Sequence, residues 1–146
     1  MAAPILTPEE VREFINDKIE NNHLLDDVEF TNTRINLAME VAVDRFNMLP
    51  PIGKTDVFSF PSKTVLMYGT LWALFDGQAA MLARNHMSYS DGGIQIPVEE
   101  RMALYRELAV SYLQVFESSG KAIKVEQNFE DGWGGVSSDY SRMPLW

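Results

Sequence analysis

Histidine is the side chain most often recruited as a metal ligand or proton carrier near neutral pH, and this chain has two. His23 is followed by Asp26 and Asp27, and His86 precedes Asp91 within ARNHMSYSDGGIQIPVEERMALY, Ala83 to Tyr105. An imidazole beside carboxylates is the raw material of a metal site or an acid–base pair. Neither histidine lies in a ligand-spaced motif such as H-x-x-x-H. The sequence also places no nucleophile or second base where His86 and Asp91 could use it. Asp91-Gly92-Gly93 and Asp131-Gly132 lack the alternating oxygen ligands and late Glu of a calcium loop, and neither follows a strand as a phosphate-cradling loop does. They read as turns that need positive φ. The acidic pairs Glu9-Glu10, Asp26-Asp27 and Glu99-Glu100 adjoin helix starts, where carboxylates complement the helix dipole. The expectation is therefore no enzyme, no catalytic residue, no metal and no cofactor. A small helical enzyme or metal protein using His86 with Asp91, or His23 with Asp26 and Asp27, is the alternative from a different class.

Composition narrows the classes further. A chain of 146 residues, 46% hydrophobic and 23% charged, suits a single folded domain with a core of its own. Its net charge of -9 and lack of clustered Lys and Arg argue against a surface that tracks phosphates. An acidic wall would suit a conduit past which DNA slides without sticking. With no cysteine, disulfides and thiolate chemistry are excluded together. The opening MAAPILTPEEVREF shows no basic region followed by an apolar core, so synthesis and action in the cytoplasm are expected.

The elements that must position these residues read as helices. Thr7-Pro8-Glu9-Glu10 supplies an N-cap, a first-turn proline and a capping box, with Val11, Phe14, Ile15 and Ile19 on one face and Asn21-Asn22 as terminators. Leu24, Leu25, Val28 and Phe30 would anchor the connection that follows. A second helix is predicted from Thr31 or Thr33 to about Met48, burying Ile35, Met39, Ala42, Val43 and Phe46 and stopped by Pro50-Pro51. Val57, Phe58 and Phe60 would tuck under the bundle.

A third helix is predicted from about Ser62 to Met87, apolar on nearly every side from Val65 to Ala83 and hence central. It is long enough to span a bilayer, but Asp76 within it would cost about 2.5 to 3.5 kcal/mol there, so a core position is expected and no membrane. Gly69, Ala73 and Gly77 recur every four residues along it, a small-residue stripe for close helix packing. A fourth helix starts at Pro97 with Val98, Met102, Tyr105, Leu108, Ala109, Tyr112, Leu113 and Phe116 as its apolar face, and Ser118-Ser119-Gly120 weakens or ends it. Lys121 to Phe129 reads equally as helix or not. The fold class is all-α: a small antiparallel bundle of about four helices around a central apolar one, residues 1–129, with an extended C-terminal arm, 130–146. In the arm, Trp133, Tyr140, Met143, Leu145 and Trp146 are residue types that anchor interfaces. It either folds back on its own domain or docks on a neighbouring subunit.

Three stretches carry a family likeness. DDVEFTNTRINLAMEVAVDRFNMLPP leads from a polar helix start to a helix ending in Phe-Asn and a double proline. LMYGTLWALFDGQAAMLARNHMSYSDGGIQI is an apolar helix ending in a Tyr-Ser-Asp-Gly-Gly corner, and RMALYRELAVSYLQVFE precedes the aromatic tail. In type and order they resemble the head-to-tail connector, adaptor or neck proteins of tailed bacteriophages. The resemblance implies a virion structural protein at the head–tail junction, a homo-oligomeric ring, commonly of twelve subunits, that binds portal and tail or neck proteins. Genomic DNA would pass through its channel without sequence-specific binding. It also implies that Trp133 to Trp146 form the partner-binding arm and that the turn Tyr89, Asp91, Gly92 and Gly93 lies at a subunit edge. A tail-completion or baseplate-proximal protein is the alternative within the virion, and a membrane protein built on Val65 to Ala83 is a third class.

Overall fold

The computed structural model describes residues 4–22, 27–85 and 98–133, and these form an all-helical bundle with no strand. Four helices follow in order: α1 (Pro8–Ile15), α2 (Asn32–Met48), α3 (Lys63–Arg84) and α4 (Val98–Trp133). α3 packs against both α2 and α4, and α1 leans on α2.

The helix starts form as their residues dictate. Thr7 and Glu10 close a reciprocal capping box on α1, and the Thr31 and Ser62 hydroxyls cap α2 and α3 by accepting from Arg34 N and Val65 N. The ends depart from periodicity in three places. α1 stops at Ile15, because Asn16 takes the left-handed conformation (φ 57°) and closes the last turn. That turn frees Asp17, whose buried carboxylate accepts from Glu29 N (2.8 Å), Phe30 N (2.9 Å) and Asn22 Nδ2 (2.7 Å). Phe14 and Ile19, expected on the buried face, are left exposed, and Asn21 ends only a short 3₁₀ turn, Ile19–Asn21. α3 ends at Arg84, earlier than Met87, with Asn85 N–H donating back to Met81 O.

The third departure is the largest. Ser118-Ser119-Gly120 neither ends nor breaks α4, which runs for 36 residues. Gly120 is buried, and a Cβ there would stand 2.9 Å from Leu49 Cδ1 and 3.3 Å from Phe46 Cδ2. Its smallness lets the end of α2 approach α4. The helix thus continues through 121–129 and into the segment assigned to the arm, since Trp133 is its last residue.

The core lies where α2, α3 and α4 meet. Ile35, Met39, Ala42, Val43 and Phe46 of α2 face Leu66, Leu71, Leu74 and Phe75 of α3, all buried. Gly69 marks the tightest approach: a Cβ there would lie 2.6 Å from the Phe116 ring and 2.8 Å from Ala42 Cβ. Aromatic rings bridge α3 and α4, Tyr68 to Tyr112 at 5.9 Å, Phe75 to Tyr112 at 5.8 Å and Trp72 to Phe116 at 6.5 Å. In the α2–α3 connection Phe60 is buried against Phe46 at 4.7 Å, while Phe58 stays exposed because Asp56 ties the turn to Phe58 N, Ser59 N and Ser59 Oγ. Among the described residues no helix is long and apolar enough to cross a membrane.

Candidate interaction surfaces

Polar groups inside the bundle are already engaged. Glu29 accepts from Gln78 Nε2 at 3.0 Å and from the Tyr105 hydroxyl at 2.5 Å, and Arg34 Nη2 donates to Gln78 Oε1 at 3.0 Å. Four segments are pinned together here: the chain before α2, then α2, α3 and α4. Burial first, and the hydrogen bond to Glu29 second, push the Tyr105 phenol up to about 12, so it remains a neutral donor. The cluster straps these four segments together.

Lys124 is the buried cation of α4. Its ammonium donates to Pro51 O at 3.1 Å and lies 4.6 Å from the centre of the Phe46 ring, with Gly53 leaving the space it fills. Burial pulls it below the usual lysine range. Like the Tyr105 cluster, it ties α4 to the rest, here to the connection after α2. Among the described residues no three His, Asp or Glu side chains converge as a metal site would need.

The outside of α4 is different. Leu104, Leu108, Ser111, Val115, Ser118, Ala122, Val125 and Phe129 succeed one another at alternating steps of four and three, which places them in one line along a helix. All are exposed, and the five large ones to 42–59%. Tyr105, Ala109, Tyr112 and Phe116 each follow a ridge residue by one position, so at 100° per residue this ridge lies about 100° around α4 from the face they form. Leu108, expected on the inner face, belongs to this ridge. It is about 37 Å long by the helical rise.

A second uncovered apolar surface is a groove of about 260 Å³ between α2 and α3, lined by Leu37, Ala38, Val41, Trp72, Ala73 and Gly77. Leu37 and Val41 are 60% and 40% exposed, and Met48 continues their line at 74%. Arg34 and Asp76 stand at one end. The small-residue stripe of α3 is therefore divided: Gly69 admits Phe116 and Ala42, whereas Ala73 and Gly77 floor the groove, and a Cβ at Gly77 would meet nothing within 4 Å. The ridge went unread in the sequence because Ser111, Ser118 and Ala122 interrupt its aliphatic residues; a count of steps of three and four from Leu104 would have found it.

The proposed turn Tyr89, Asp91, Gly92 and Gly93, the histidines His23 and His86 with Asp26, and the arm residues Tyr140, Met143, Leu145 and Trp146 lie outside the described residues. Trp133 closes α4, so an arm built on it would start from the far end of the ridge. Compared with models of protein families, with curated proteins and with solved structures, the chain matches none.

Proposed function

We propose that this chain is a non-enzymatic structural protein of a tailed-phage virion, a subunit of a ring that joins the portal vertex of the head to the tail and lines the DNA channel. The observation that supports a role in assembly is the ridge on α4, five large apolar side chains in line and open to water. Large apolar side chains exposed in one line favour association with another surface. The phage setting comes from the resemblance of the three stretches above. The net charge of -9 suits a channel wall that must not hold DNA. In this reading the segment after Trp133, with Tyr140, Met143, Leu145 and Trp146, docks on the portal or tail ring, and repetition around the ring makes weak single contacts add.

Electron microscopy of the purified chain, alone and mixed with tailless heads that carry a portal, tests this directly. Rings with a central opening that decorate a single vertex of each head are expected, and removal of residues 134–146 should leave the helical subunit folded but abolish the decoration. Rings that ignore the portal vertex would retire the connector role.

A further inference from the structure

Among the described residues the bundle leaves two apolar surfaces uncovered, and they are of opposite shape. One is convex, the α4 ridge; the other is concave, the α2–α3 groove, floored by Ala38, Ala73 and Gly77. They share no residue. We infer that the ridge of one copy seats in the groove of the next, so that a second copy of this chain is the occupant of both surfaces.

Three observations carry the pairing. First, the alternating steps of four and three along the ridge are the pattern with which one helix lies along others, ridge into groove. The small residues Ser111, Ser118 and Ala122 between its large ones permit the close approach that a groove floored by alanine and glycine offers. Second, the lengths agree. α2 lines the groove from Arg34 to Val41, about 10 Å, and two turns of the ridge from Leu104 to Ser111 cover the same distance. Third, the charges match. Arg34 and Asp76 flank one end of the groove, and Arg101 and Glu107 flank the Leu104–Leu108 end of the ridge. With these ends together, Arg101 offers its charge to Asp76 and Glu107 to Arg34, whose Nη2 also holds Gln78.

Pairing two ridges with each other would leave the groove open, whereas ridge into groove covers both surfaces with a single contact. Such a contact is heterologous. It leaves a free ridge at one end of every oligomer and a free groove at the other, so it propagates until the rotation closes a ring. This is the subunit interface that the ring reading needs; it rests on that reading for closure alone.

The chain has no cysteine of its own, so engineered pairs report cleanly. Val41→Cys in the groove and Ser111→Cys on the ridge sit at matching heights, both at exposed positions. Under mild oxidation the double variant should give a ladder of disulfide-linked multimers, and each single variant only monomer. Leu108→Glu, in an otherwise unaltered chain, should weaken association by more than about tenfold in sedimentation velocity, with the circular dichroism unchanged. Dimers formed as efficiently by Ser111→Cys alone would overturn the inference in favour of ridge-to-ridge pairing. A chain that sediments as monomer at about 100 micromolar, an affinity too weak for a specific assembly contact, would overturn it outright. A ladder without portal binding leaves the head-to-tail contact standing and removes only the connector role.

Discussion

α4 carries two stripes of almost the same spacing, and the bundle treats them oppositely. The inner one, Tyr105, Ala109, Tyr112, Phe116 and Gly120, combines three rings with two very small residues; the rings enter between Tyr68, Trp72 and Phe75 of α3, and Gly120 admits Phe46 and Leu49 from the end of α2. The outer one is made of aliphatic residues spaced by serine and alanine, with only Phe129 aromatic, and no helix among the described residues reaches it. Spacing establishes that a helix has an apolar face; which face finds a partner within the chain is decided by shape against the neighbours. A stripe left uncovered in so long a helix is then available to another molecule.

The contrast can be broken most severely from the inside. Phe116→Ala would open the meeting point of three helices and should cost about 3 to 5 kcal/mol in chemical denaturation. Measured under dilute, monomeric conditions, Val115→Ala, one position away on the ridge, should stay within about 0.5 kcal/mol. If the two variants lost similar stability, the ridge would be part of the core.

Glycines of α3 draw the same line at smaller scale. Gly69→Ala forces a methyl against Phe116 and Ala42 and should destabilise by about 1 to 3 kcal/mol, as overpacking does. Gly77→Ala meets no neighbour and should instead stabilise the isolated subunit by about 0.5 to 1 kcal/mol through helix propensity. Its new methyl would partly fill the groove, so association should weaken while the monomer gains. Thermal melts and sedimentation read in opposite directions would bear out the contrast.

The smallest effects lie in the alkaline range. Tyr105 is raised in the fold from its ordinary 10.0 to about 12, so its contribution is fully present below pH 10 and is lost as pH climbs toward 12. Lys124 is lowered, so the unfolded chain binds the extra proton and stability rises with pH up to the ordinary lysine value of 10.5. Tyr105→Phe should therefore flatten the decline above pH 10, and Lys124→Met the rise before it. Identical alkaline profiles for wild type and both variants would show that neither group couples to folding.

Much of the architecture could be read from the residues because it rests on local rules. The capping box at Thr7 and Glu10, the starts at Thr31 and Ser62, and the buried stripe of α2 all depend on neighbours within one or two turns. What could not be read were features set at a distance. Asn16 ends α1 early because the chain before α2 needs the Asp17 carboxylate. Gly120 looks like a helix stop until Leu49 and Phe46 are brought against it. For the surfaces the sequence was legible only in part: it pointed to the aromatic arm, and it held the spacing of the ridge without marking it as exposed.

By itself the sequence determined a cysteine-free, acidic, all-helical chain and where most of its helices begin, since composition and end-capping are properties of short stretches. Tertiary structure alone decided which side of α4 faces water, which glycine of α3 is filled by a ring, and that Leu37, Val41, Ala73 and Gly77 form one groove. Those outcomes depend on residues far apart in the chain coming within contact distance, where volume and shape, more than hydrophobicity, choose the partner.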